Sequence, residues 1–400
     1  MYVKIENANI EDFRKKKIIL FGASSTGVKA LEEFQNIQAD IIGFCDNNKE
    51  KEGKCLEGYL IFGPEHLKQL TDKDETICIM ITSTYEKEIE KQLKEMHIRN
   101  VYVVHMGVLH DIIGKGEFSN NILPKEKANE KIYNMLNSKK AFFIGRVGST
   151  ELETICNYCY FTERISGKCT PYTNNITNML SDWCGFYPKQ HTLMDEFCKL
   201  YLEDIKTADL LWSMWLSKYE DILYRQYCPN TDISLYEETA FPLYEEEPWT
   251  YALKGKKVLV IHPFDESIKR NYKFKEKLFQ NEKFLPDFEL ITLKAVQSLA
   301  DNKNLEYPTW FDALEYMKMK IDDIDFDVAL IGAGAYGFPL GAYIKRIGKQ
   351  ALHIGGKLQL YFGIRGKYYD KFNYHNEYWT RPLESERPEG YKNVEAGRYW

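Results

Sequence analysis

Between Phe142 and Leu152 the chain reads FFIGRVGSTEL, a stretch whose side chains could handle a bound phosphate. Gly145 and Gly148 allow backbone to approach a ligand, and Arg146 offers a planar guanidinium fork to a diphosphate. Ser149 and Thr150 add hydroxyls. Glu151 could accept a proton from an attacking hydroxyl or hold a divalent cation. A Ser/Thr N-cap followed by an acidic first turn would explain Ser149 and Glu151, but it leaves Arg146 and the glycines unexplained.

Two further glycine turns compete for a ligand. VALIGAGAYGFPLGAYIKRIGKQALHIGG, starting at Val328, carries Gly332, Gly334 and Gly337 in a GxGxxG arrangement. A dinucleotide site also needs an acidic residue about 20 positions on, to hold the ribose. The next strand instead ends in His353, Gly355 and Gly356, so NAD is disfavoured there. The expectation is a loop open to another ligand, with Tyr336 stacking on a base or sugar; tight strand–helix packing is the competing explanation. Near the N-terminus, FGASSTG places Gly22 and Gly27 around Ser24, Ser25 and Thr26, and Asp46 closes the following strand. That set is closer to a complete ribose site and fits a nucleotide or nucleotide-sugar; an inherited scaffold that binds nothing fits equally. His262, before Pro263 in VLVIHPF, could serve as a general base or phosphate donor, or could cap and pack.

The elements that must position these groups alternate. KKIILFGASSTGVKALEEFQ, ADIIGFCDNN, ETICIMITST, EKEIEKQLKEMHI and NVYVV read as strands separated by helices, which predicts parallel βαβ units. A polar, Gly/Asn/Pro-containing stretch follows, and then a second strand–turn–helix begins at Ala141. From Cys169 to about Tyr244 the pattern is aromatic and helical, with YEEEPW as a solvated loop. KKVLVIHPF, FELITLKA, FDVALIGAG and GKQALHIGG restore the strands. The expected fold is α/β, two Rossmann-like doubly wound parallel sheets in series, the second with a helical insertion. The expected boundaries are 1–112, a linker at 113–130, and 131–400.

Composition bounds the function. The chain has 400 residues, more than one core usually serves, with 44% hydrophobic and 28% charged residues. A net charge of −6 and the lack of a long basic run disfavour a nucleic-acid partner. The 28 tyrosines, 22 phenylalanines and seven tryptophans could line carbohydrate surfaces, though core packing is the plainer use. Nine scattered cysteines and no secretory pattern in MYVKIENANI point to a reduced, cytoplasmic protein. Cys156 and Cys159 form a CxxC without a second pair at zinc spacing, and read as packing residues. No apolar run approaches a membrane span, which leaves peripheral membrane contact open. The oligomeric state is not legible.

GRVGSTEL resembles the Arg-Phe-Gly-Asp-Gly-Glu stretch that opens the GT-D class of bacterial glycosyltransferases. The resemblance runs on through GKKVLVIHPF, the Val328 segment and LYFGIRGK, roughly residues 130 to 370. It implies a transferase that takes a nucleotide-sugar donor, with an Asp-x-Glu motif near its diphosphate and a divalent metal, Mn or Mg. Glu151 matches the glutamate of that motif and Arg146 its arginine. Ser149 stands where the aspartate belongs, a departure that puts the metal in question. Residues 17 to 110, in ILFGASSTGVKAL, GFCDNN and GPEHL, resemble the nucleotide-sugar-binding domains of polysaccharide-biosynthesis proteins. Together the two resemblances imply transfer of a sugar to a surface-glycan or lipid-linked acceptor, with Glu151 or His262 as the base. The rivals are an NAD-dependent sugar oxidoreductase or epimerase acting at Gly22 and Asp46, and a non-catalytic nucleotide-sugar-binding scaffold. The former would need a Tyr-x-x-x-Lys pair after a suitable strand, which is not found.

Overall fold

The computed structural model describes residues 3–4, 13–83, 85–104, 118–164, 172, 174–214, 216–298, 306–372, 375–394 and 397–400. The chain divides into two compact units, Met1–Lys115 and Gly116–Trp400. Each is α/β and is built on its own mostly parallel sheet.

In the first unit the strands are β1 (Val3–Lys4), β2 (Lys17–Phe21), β3 (Asp40–Cys45), β4 (Cys55–Leu56), β5 (Tyr59–Phe62), β6 (Cys78–Ile81) and β7 (Val101–Val103). Their order is β1-β7-β6-β2-β3-β5-β4, parallel except for the β4–β5 pair. Helices Ser25–Asn36, Pro64–Lys73 and Glu86–Glu95 connect the strands. Because alternate residues point to opposite faces, Ile18 and Leu20 pack into one core and Ile19 and Phe21 into another. Both faces are therefore covered, which explains why KIILF and CIMI read as continuous apolar runs.

The second unit repeats the plan with β8 (Phe142–Gly145), β9 (Leu210–Ser213), β10 (Asp232–Leu235), β11 (Lys257–His262), β12 (Glu289–Lys294), β13 (Val328–Ile331) and β14 (Gln350–His353). The order is β10-β9-β8-β14-β13-β11-β12, and every pairing is parallel. Leaving β8 the chain builds outward through β9 and β10, whereas β14 arrives beside β8 from the other half. Strand order thus reverses between β8 and β14, the place where ligands gather in open α/β sheets. Phe143, Leu259 and Ala329 face one core; Phe142, Ile144, Val258 and Leu330 face the other.

The helical insertion lies between β8 and β9, as helices Asn174–Cys184 and His191–Ile205. The helical stretch expected up to Tyr244 is interrupted by β9 and β10; Cys169, where it was expected to start, lies outside the described residues. LLWS and DISL are only four residues each, too short for periodicity to separate them from buried helix. Of the segment expected as a linker, 113–117 lies outside the described residues. The remainder is built into the second unit. Asn120 donates to the carbonyls of Cys228 and Thr231, Ile122 bridges Ile233, and helix Lys125–Asn137 follows. Among the described residues no helix is long and apolar enough to cross a membrane.

Candidate functional site

A cavity of about 820 Å³ opens at the carboxyl edge of the second sheet, where β8 and β14 meet. The register pairs Gly145 with His353, so the residues after both strands face the same crevice. Helix Ser149–Arg164 starts there, and Gly148, Ser149, Thr150 and Glu151 all line the cavity. The first N–H groups of a helix lack intrahelical partners and carry its positive dipole end, which suits an anion.

Arg146 also lines the cavity, and its surroundings are unusual for a cation. Its carbon Cζ lies 5.2 Å from the centre of the Tyr236 ring, and Nη1 reaches only the Met214 thioether, at 3.8 Å. Its Nε is buried without a hydrogen-bond partner. Among the described residues no carboxylate lies within ion-pair distance of it, although Glu151 acts on it electrostatically. Gly355, at φ +71°, is what lets the guanidinium pass: a Cβ there would sit 2.7 Å from Nε. A second cation, Lys357, lies 4.6 Å from the centre of the same Tyr236 ring and bonds Glu237 at 2.7 Å. Burial, aided by the Arg146 charge, holds the Lys357 ammonium below its usual pKa against the pull of Glu237. Burial likewise pushes the Tyr236 phenol up to about 12, and its hydroxyl donates to the Ile354 carbonyl at 2.7 Å.

Glu151 is 7% exposed. Its carboxylate folds back over the preceding turn, so that a Cβ on Gly148 would lie 2.2 Å from Oε2. Gly148 is required for that fold-back. Among the described residues no group of three His, Cys, Asp or Glu side chains is placed to hold a metal ion, and Ser149 supplies only a hydroxyl.

Both histidines are buried. His262 is buried away from the cavity lining, where its Nδ1 accepts the Phe264 N–H at 3.0 Å; burial drives its pKa down to about 3. It caps its own turn, and we assign it no catalytic part. His353 is held down to about 3 as well, by burial and then by the Arg146 charge. Its Nδ1 lies 3.1 Å from the Arg146 carbonyl; the neutral ring donates there and ties β14 to the arginine's backbone.

The GxGxxG loop proves to be largely packing. A Cβ on Gly332 would meet His262 at 2.7 Å, and one on Gly337 would meet His353 at 2.3 Å. Gly334 alone of the three lines the cavity. Tyr336 is buried against Trp310, ring centres 4.9 Å apart at 10°, with its hydroxyl 2.9 Å from Ser298. Gly145 admits the Phe143 and Phe338 rings.

In the first unit Gly22 (φ +127°) and Gly27 form the tight turn, Ser25 starts the helix and Thr26 is half-buried. Ser24 accepts the Gly27 N–H, at 3.4 Å, as a helix cap. Both Asp46 oxygens are engaged within the chain. Oδ1 accepts the Asn48 N–H at 2.8 Å, and Oδ2 accepts the Ala23 N–H at 3.0 Å and Lys51 Nζ at 2.9 Å. The expected ribose acceptor already holds its own glycine turn.

Sequence reasoning missed Tyr236, Lys357, Tyr368, Arg398 and Tyr399, which complete the lining. Tyr236 directly follows β10, and Lys357 directly follows Gly356; recognising β10 would have put Tyr236 at the same sheet edge. Arg398, whose Cζ is 3.8 Å from the centre of the Tyr368 ring, lies in irregular chain without a periodic signal.

The family model C2185-like, N-terminal, matches residues 14–104. No curated protein matches the chain. Among solved structures, UDP-D-quinovosamine 4-dehydrogenase from Vibrio fischeri is similar at 22% identity over 24% of this chain and 84% of that one, with a TM-score of 0.21. A likeness that distant bears on neither activity nor ligand.

Proposed function

We propose that the second unit is a glycosyltransferase that binds the diphosphate of a nucleotide-sugar and moves the sugar to a surface-glycan or lipid-linked acceptor. One observation carries the reading: a cavity-lining guanidinium, Arg146, has only a thioether and an aromatic face for partners among the described residues. The guanidinium is half-buried at an open cavity, so the N–H donors that no protein acceptor fills are available to an anion that enters it. Lys357 and the start of helix Ser149–Arg164 add positive potential in the same cavity. The resemblance of GRVGSTEL to GT-D enzymes gives that anion its chemical class.

In the transfer, the acceptor hydroxyl oxygen forms a bond to the sugar's anomeric carbon as the bond from that carbon to the diphosphate breaks. The departing diphosphate takes the electron pair and is stabilised by Arg146, Lys357 and the helix N–H groups. Glu151 takes the hydroxyl proton. No step passes through a metal.

The test is release of nucleoside diphosphate from a panel of UDP-, GDP- and dTDP-sugars by wild type and Glu151→Gln, each with and without EDTA. Turnover should fall on the order of a hundredfold in the variant. Its stability should fall by no more than about 2 kcal/mol through the lost helix-dipole interaction of a buried carboxylate. EDTA should matter less than the substitution. Near-wild-type turnover in Glu151→Gln, or no release from any donor, contradicts the proposal.

A further inference from the structure

The same cavity is divided by charge and by depth. Its floor holds Arg146, Glu151 and Tyr236, half-buried or buried, with two cations gathered on Tyr236. Its rim is acidic and aromatic. Glu126 and Glu238 are exposed there, and so are two large rings, Trp183 at 39% and Tyr244 at 81%. Trp183 ends the insertion helix Asn174–Cys184; the next residue, Cys184, brings its carbonyl 3.2 Å from the place a Cβ on Gly334 would take. That puts Trp183 beside the loop after β13. Tyr244 belongs to the loop after β10. β13 and β10 stand on either side of the β8–β14 crevice, four places apart in the sheet, or about 19 Å at the usual strand spacing.

Rings exposed at a cavity mouth raise the question of what covers them. A second phosphate-bearing ligand is disfavoured, because the rim carboxylates Glu126 and Glu238 would repel it and the neighbouring cation Lys125 is already paired with Glu245. A purely apolar tail would leave those carboxylates facing hydrocarbon. An uncharged pyranose meets both demands. The C–H face of its ring stacks on an aromatic side chain, and its hydroxyls donate to carboxylates. We propose that the Trp183–Tyr244 rim is the acceptor subsite and that it takes uncharged pyranose units of a glycan, held above the floor where the donor diphosphate sits. The proposal rests on the donor reading of the floor, and it identifies the acceptor end as carbohydrate. YEEEPW, which contains Tyr244, is then a recognition loop as well as a solvated one.

The test is ligand-observed saturation-transfer NMR on the full chain. The probes are the methyl glycosides of glucose, galactose, N-acetylglucosamine and rhamnose, with UDP titrated in parallel to report on the floor. At least one glycoside should receive saturation from wild type, and Trp183→Ala and Tyr244→Ala should each weaken that signal about fivefold. Tyr244 is mostly solvent-exposed, so its replacement reads binding without endangering the fold. No saturation of any glycoside, or undiminished signals in both variants, overturns the subsite. Glycoside signals that respond to the rim variants while UDP shows none in wild type would instead remove the donor reading and leave the rim as a sugar site.

Discussion

The turns Gly22–Gly27 and Gly145–Glu151 are built alike. Each follows an apolar strand of a parallel sheet and leads into a long helix. In the first unit the polar groups at the turn bond within the chain: Asp46 holds the Ala23 N–H and Lys51, and Ser24 caps the helix. In the second, the equivalent position carries Arg146, which lines a cavity with no carboxylate at ion-pair distance among the described residues. A glycine turn at a strand end is therefore a scaffold; the second turn differs in carrying a cavity-lining guanidinium with no carboxylate at ion-pair distance among the described residues.

The glycines should separate the two turns most sharply. A Cβ on Gly27 would lie 2.1 Å from the Gly22 carbonyl oxygen, backbone that has nowhere to move. Gly27→Ala should destabilise the first unit by about 3 kcal/mol or more. On Gly148 the obstacle is the Glu151 carboxylate, a movable side-chain end. Gly148→Ala should cost about 1 kcal/mol or less while displacing Glu151. Denaturant unfolding of both variants checks this, and equal losses would erase the distinction.

A second difference appears with pH. His262 and His353, both in the second unit, are held down to about 3 when folded, against an ordinary value near 6.5. Between those values the unfolded chain binds more protons than the folded one. Stability of this unit is therefore full above about pH 6.5 and is lost as pH falls towards 3. Each histidine contributes a slope of up to about 1.4 kcal/mol per pH unit in that window. His353→Gln should remove about half of the combined slope, read from unfolding midpoints between pH 6 and 4. An unchanged slope would mean that His353 is not held neutral.

The smallest effect belongs to Asp46. Asp46→Asn keeps one carbonyl acceptor and loses the charge facing Lys51, so a cost of about 1 kcal/mol in the first unit is expected. Since Asp46 serves its own turn, NADH fluorescence should stay unchanged on adding wild type. Enhancement abolished by Asp46→Asn would restore the dinucleotide reading.

The sheets were legible because buried parallel strands leave continuous apolar runs, as in KIILF, CIMI and VALI. β9 and β10 were not, being four residues each inside an aromatic stretch where strand and helix look alike. In the candidate site, Arg146, Gly148, Ser149 and Glu151 were readable from one contiguous segment, and the structure brings them to one cavity. His262, His353 and Tyr336 do not line that cavity, and the sequence could not say so, because a histidine or tyrosine at a strand end reads the same whether it faces a ligand or packs beneath a glycine. Arg398 reaches the cavity from distant, irregular chain, and only tertiary structure places it there; Lys357 directly follows Gly356 past the end of β14 and was overlooked.

The central claim is that the uncompensated charge of Arg146 is kept for a nucleotide diphosphate. Its most direct test is calorimetric titration of UDP and GDP into wild type and Arg146→Gln at low and moderate salt. We expect at least one of the two to bind wild type. Its affinity should weaken on the order of a hundredfold in the variant, the loss of about two charge-assisted hydrogen bonds. The variant should keep most of the wild-type stability, because Arg146 makes no ion pair at contact distance among the described residues. Equal affinity in the two proteins, or no binding to wild type together with a destabilised variant, would show that Arg146 serves the fold and would contradict the account.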